Sequence, residues 1–219
     1  MGLKSMADGF RHLRGQRLLA STYFIDLNAM IFGMPRAVFP ALGTELFGGG
    51  AGVVGLLYAA PGAGALLGSF VTGWCSRFRR QGRAIAACVV VWGGSIALVG
   101  IIPVLWIGLT LLAVAGAADV ISAVFRSTIV TLSVPDALRG RLTGLQISVV
   151  TGGPLLGDVE AGAVAAAFGD TASVVSGGLA CVAGALLLAG LLPAFRRQRA
   201  EEPEVPHRGG EPQPDLTQV

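Results

Sequence analysis

The chain has 219 residues, 53% of them hydrophobic and 13% charged, with a mean hydropathy of +0.70 and a formal net charge of +3. Soluble domains carry about 25% charged residues, so this composition excludes a water-soluble globular enzyme or binding module. The apolar runs between the charge islands can cross roughly 30 Å of hydrocarbon, which takes about 20 helical residues, and the chain reads as an all-α integral membrane protein.

In chain order, residues 1–17 form a polar, basic segment with no compact apolar core ending in a small-residue cleavage site, which argues against a signal peptide. Six apolar segments follow, at about 18–44, 51–74, 84–102, 104–133, 141–168 and 171–194, predicting a six-helix transmembrane domain over 18–195. Open backbone cannot face lipid, so each run is helical, with kinks expected at Pro35, Pro61 or Pro154. Pro103 separates the third and fourth spans by the narrowest margin. In the second span, Gly64 and Gly68 are one turn apart, with Ala60 before and Thr72 after, a spacing that lets helices approach closely. Residues 196–219 are rich in Pro, Glu and Gly without apolar periodicity, and are expected to be a disordered cytoplasmic tail.

The arginines set the orientation. Lys4, Arg11, Arg14 and Arg17 precede the first span, and Arg77, Arg79, Arg80 and Arg83 follow the second. Arg139 and Arg141 follow the fourth, and Arg196, Arg197, Arg199 and Arg208 follow the sixth. Fourteen of sixteen basic residues thus fall on one side, and the alternate connections carry none. The positive-inside rule makes that side cytoplasmic, with both termini inside. The excess positive charge therefore reports topology and contact with anionic lipid, not nucleic-acid binding. Cys75, Cys88 and Cys181 lack paired spacing, and His12 and His207 lie in polar terminal segments, so no metal site or intramembrane His triad is predicted.

The remaining charges sort the helices. Asp26 and Arg36 lie in the first span, Asp119 and Arg126 in the fourth, and Asp158 and Glu160 in the fifth, while the third and sixth carry none. Intramembrane ionisable groups face a bundle interior or a hydrated cavity and mark pathways. Spans one, four and five should therefore line something polar, and three and six should face lipid. The pattern recurs every three helices, and a triplet reverses direction across the membrane, so the domain reads as a 3+3 inverted repeat, a construction common in transporters.

At about 1.5 Å per residue, Asp26 and Arg126 lie at similar depth near the cytoplasmic side, and Arg36 lies near Asp158 and Glu160 at the other. Asp119 precedes Arg126 by seven residues, two turns along one face. Opposite charges at matched depth can pair and lower their burial cost. They serve either as structural locks or as groups that change partner or protonation during transport. Asp158 and Glu160 are about 200° apart on a helix, and Asp158 is expected to be the inward one because Gly157 thins the helix beside it.

Three stretches carry a family resemblance. "SMADGFRHLRGQRLLASTYFIDL" is similar to the end of the central loop and the seventh helix of the major facilitator superfamily, in particular its bacterial efflux branch similar to the enterobactin exporter. "GALLGSFVTGWCSRFRRQGRA" resembles the cytoplasmic signature between the second and third helices of each half. Arg77, Gly82 and Arg83 match it, while Ser76 stands at its acidic position. "FRSTIVTLSVPDALRGRLTGL" is similar to the tenth helix and the turn after it. The resemblance covers nearly the whole chain. It implies the C-terminal half of a twelve-span transporter, arising as a fragment, a split gene or a misplaced start. It further implies proton-coupled efflux of a small molecule in a cell inner membrane, with a partner half or self-association completing the cavity. The alternative is a membrane interaction protein or transporter remnant that does not itself transport. An intramembrane enzyme is not expected, since neither Asp158 nor Asp26 sits in an aspartyl-protease motif, and no cofactor is implied.

Overall fold

The computed structural model describes residues 17–75, 81–133 and 136–191. Six long helices account for most of them: α1 (Arg17–Phe32), α2 (Ala51–Cys75), α3 (Gln81–Ile101), α4 (Leu105–Ser133), α5 (Asp136–Phe168) and α6 (Asp170–Leu191). They match the six predicted segments one for one. Residues 1–16 of the N-terminal segment, Arg77, Arg79 and Arg80 of the basic cluster and the expected tail over 196–219 fall outside the described residues.

Four helices, α2, α3, α4 and α6, are long and apolar enough to cross a membrane. The other two depart from the expected uniform spans for separate reasons. The run expected as one helix over 18–44 is broken, because α1 ends at Phe32 and Gly33, Met34 and Pro35 are not helical. Pro35 has no N–H to donate and disfavours a helical conformation at Met34. The chain resumes as a 3-10 turn (Arg36–Val38), one α-turn (Phe39–Ala41) and a π-turn (Leu42–Leu46), then reverses at Gly48, whose φ is +62°. In α5, which has 33 residues, the apolar run is diluted by the polar turns at its start and by Asp158 and Glu160. The narrow boundary at Pro103 is a real one, with residues 102–104 outside either helix.

Glycine seams hold the bundle together. A Cβ on Gly64 would collide with the Ala113 carbonyl, one on Gly116 with the Pro61 carbonyl, and one on Gly68 would lie 2.9 Å from Ala117 Cα. The α2 and α4 backbones therefore touch. The α5–α1 seam is built the same way: Gly153 admits Met30, and a Cβ on Gly157 would strike the Ile31 carbonyl. Between α3 and α6 the fit is mutual, with Gly93 against Gly178 and Gly178 against Gly93. Small residues that let backbones meet are the usual source of helix affinity in lipid, where apolar burial alone gives little. Two side chains add polar stitches, Asn28 donating to the Cys181 carbonyl at 2.9 Å and Ser173 to the Ala161 carbonyl at 2.8 Å.

The uncharged helices do not both face lipid. α3 is buried over a larger share of its span than α2, α4 or α6. Ile85, Val89, Trp92, Ile96 and Val99 form the centre of the core. Lack of charge permits lipid contact without requiring it, and the Gly93 seam draws α3 inward instead. α6 does present Leu179, Leu186, Leu187 and Leu191 outward while burying Val174, Cys181 and Ala185.

Candidate functional site

Asp26 sits on the buried face of α1 between Ile25 and Ala29, and Arg126 on the buried face of α4. Their side chains are only 3% and 4% exposed, and Arg126 Nη1 lies 2.5 Å from Asp26 Oδ1. The two residues predicted at matching depth are thus in contact. They meet as an ion pair without hydrogen-bond alignment. Two turns back along α4, Asp119 approaches the same guanidinium, with Nη2 3.4 Å from Oδ1 and its own side chain 36% exposed. One guanidinium therefore serves two carboxylates of unequal environment, and the cluster carries a formal charge of −1.

Four buried polar atoms have no hydrogen-bond partner among the described residues: Asp26 Oδ1 and Arg126 Nη1, which face each other as the ion pair, and Ser122 Oγ and Arg126 Nε. Ser122 is three residues after Asp119 and four before Arg126, the spacing of one helix face. Buried polar groups left without partners cost free energy, and small ordered water is the usual remedy. Nothing in the charge pattern alone pointed to Ser122, though its spacing was readable.

The second predicted pairing is different in the structure. Asp158 reaches the broken part of α1, as expected from depth, but its Oδ1 accepts a hydrogen bond from the Ala37 N–H at 3.0 Å. No Arg36–Asp158 or Arg36–Glu160 ion pair forms among the described residues. The break at Gly33–Pro35 explains this, because a restarting helix presents N–H groups that lack intrahelical acceptors and a carboxylate at such an end is well placed. Tyr58 of α2 donates to the Arg36 carbonyl at 2.9 Å, so α2 and α5 hold the restart from two sides. Glu160 is half-buried and joins neither arrangement.

The Arg36 side chain is exposed and contacts Met34 Sδ at 3.3 Å. It borders a cavity of about 190 Å³ that Asp119 also lines, with Met34 and Trp92 between them. Arg36 and Asp119 were not matched from the sequence, because the break re-aims the residues after Pro35. Of the cytoplasmic signature, Arg77 lies outside the described residues, Gly82 is buried in the first turn of α3, and Arg83 is exposed there.

A bundle of apolar helices joined by glycine seams and enclosing buried charge defines a multi-pass membrane protein. The chain belongs to the transmembrane secretion effector family of the major facilitator superfamily, whose family model matches residues 3–213. It is 30% identical over 204 residues to the enterobactin exporter EntS of Citrobacter koseri, covering 93% of this chain and 49% of that protein. It is 27% identical over 203 residues to the proteins of the same name from Escherichia coli O139:H28 and Shigella boydii serotype 18, covering 93% of this chain and 49% of each. The chain thus spans about half the length of these relatives. No solved structure matches it.

Proposed function

We propose that the chain is one half of a proton-coupled exporter of a small molecule, completed by a partner half or by a second copy. The observation that carries this reading is the buried cluster of Asp26, Arg126 and Asp119. These three side chains sum to −1 while Arg36 acts on Asp119 from across the shared cavity. When Arg36 is engaged elsewhere, a low-dielectric bundle favours one compensating cation, of which a proton on the half-exposed Asp119 is the least disruptive. Asp26 then stays on Arg126 as a constant partner, while Asp119 exchanges protons with the cavity it lines.

The helix contacts support a 3+3 inverted repeat as the frame. If α1–α3 corresponds to α4–α6, the α2–α4 seam corresponds to the α5–α1 seam. Both are made by glycines four apart, Gly64 and Gly68 in one and Gly153 and Gly157 in the other. The α3–α6 seam would then lie on the pseudo-symmetry axis, in keeping with its mutual Gly93–Gly178 contact.

Two measurements test the proposal. In a pH jump on the purified chain, wild type should take up one proton more than Asp119→Asn, and equal uptake would remove the proposed carrier. Co-expression with the first half of the Citrobacter koseri relative should give secretion that a protonophore abolishes, with enterobactin as the first cargo tried. Secretion indifferent to the protonophore would remove the coupling.

A further inference from the structure

The cavity beside Arg36 lies within this chain, bounded by the broken part of α1 and by α2, α3 and α4. Its apolar side is Met34, Trp92, Ile96 and Leu112. The rest of its lining is made of small residues, among them Gly62, Ala65 and Ala115. At about 190 Å³ it is somewhat larger than a cavity of about 150 Å³ that takes benzene. It therefore accommodates one compact group of ring size and not a whole drug-sized molecule, which needs roughly 300 Å³ or more.

The charges around it are unequally committed. Asp119 already faces Arg126. Arg36 has a thioether as its side-chain contact and no carboxylate within ion-pair distance among the described residues, Asp119 acting on it only from across the cavity. A guanidinium offers five donors in a planar fork suited to a carboxylate. Its backbone is held in place from both sides, since Tyr58 takes up the Arg36 carbonyl and Asp158 the N–H of Ala37. The backbone that carries the fork is thus held at the mouth of an apolar pocket.

We propose that this cavity is a subsite for a compact apolar group carrying one anionic substituent, such as a cyclic or branched carboxylic acid. The apolar group enters against Trp92, Ile96 and Leu112, and Arg36 selects the charge. As part of a transported molecule's path this rests on the transport reading, but binding can be measured on the chain alone, so either can fail without the other.

The test is calorimetric titration of the purified chain in a neutral detergent, using benzoate and cyclohexanecarboxylate as ligands. Acetate, which lacks the apolar group, and benzamide, which lacks the charge, are the comparisons. Both carboxylates should bind at least tenfold more tightly than acetate or benzamide. Arg36→Gln should lower benzoate affinity at least tenfold and leave benzamide unchanged, and Arg36→Lys should restore part of the loss. Arg36 is exposed and its side chain holds no helix, so these variants should fold as wild type does. Ala65→Val should weaken the ring-bearing ligands, and this variant counts only if it elutes as wild type on gel filtration. Equal binding of benzamide and benzoate, or benzoate binding indifferent to Arg36→Gln, would overturn the charge selection. Equal binding of acetate and benzoate would overturn the apolar pocket, and absence of benzoate binding would overturn both.

Discussion

Replacing either carboxylate that faces Arg126 tests how the buried charge is held. Asp26→Asn removes the near partner at 2.5 Å, whose side chain is 3% exposed. Arg126 is then left with Asp119 at 3.4 Å, a carboxylate 36% exposed and correspondingly screened. Breaking a buried pair by removing one partner costs about 3–5 kcal/mol, whereas a pair with one solvated member contributes about 0–1 kcal/mol. With about 2–4 °C per kcal/mol for a chain of this size, Asp26→Asn should lower the melting temperature by roughly 6–20 °C and Asp119→Asn by no more than about 4 °C. The double variant Asp26→Asn/Arg126→Gln should recover much of the loss, since the only charge it leaves in the cluster is the half-exposed Asp119 carboxylate. Thermal unfolding in detergent, followed by loss of the monodisperse gel-filtration peak, measures all three. Equal destabilisation by Asp119→Asn and Asp26→Asn would refute the unequal sharing, and a double variant worse than Asp26→Asn would refute the charge argument itself.

Gly64→Leu should abolish assembly of the α2–α4 seam, since its first side-chain carbon already collides with the Ala113 carbonyl. Gly55→Ala, which meets open space, should be neutral or gain up to about 1 kcal/mol from helix propensity, as thermostability in detergent would show. Asp158→Ala should loosen the restart after Pro35 by about 1–2 kcal/mol, seen as faster amide exchange over residues 36–46, with Asp158→Asn milder because its carbonyl still accepts from Ala37. Exchange unchanged in Asp158→Ala would show that the hydrogen bond is dispensable. Reporter fusions after Gly49 and Gly169 should read as external and those after Arg80 and Ala200 as cytoplasmic, and an external reading at Arg80 would reverse the orientation.

The helical character of the six apolar segments was legible, and the four long enough to cross a membrane survive any detail of packing, whereas the first run, read as one helix, is broken at Gly33–Pro35. The meeting of Asp26 with Arg126 was legible too, since depth follows from counting residues along straight helices. The failures have a common physical origin in rotation and contact, which counting does not supply. Depth placed Arg36 beside Asp158, but Gly33 and Pro35 break the helix and turn the guanidinium toward Asp119's cavity, leaving the carboxylate to a backbone N–H. Charge placed α3 against lipid, but glycine seams decide neighbours in a bilayer, and Gly93 was readable only once its match at Gly178 was known. The "GGPLLG" run held the α5 seam in view, and its Gly153 and Gly157 spacing repeats that of Gly64 and Gly68.

The interruption at Gly33–Pro35 separates two loads that a continuous helix would transmit to each other. Below it, α1 is fastened to its neighbours by the Asp26 ion pair, by Asn28 on α6 and by the Gly157 contact. Above it, residues 36–46 are fastened by Tyr58 on α2 and by Asp158, the residue after Gly157 on α5. Between the two fixings Gly33 still donates to the Ala29 carbonyl, and Met34 and Pro35 form the joint without helical hydrogen bonds of their own. α5 thus grips the joint on both sides through neighbouring residues, and Tyr58 on α2 alone belongs to the upper arm, so strain placed on α2 reaches the restart without passing through the buried Asp26–Arg126 contact.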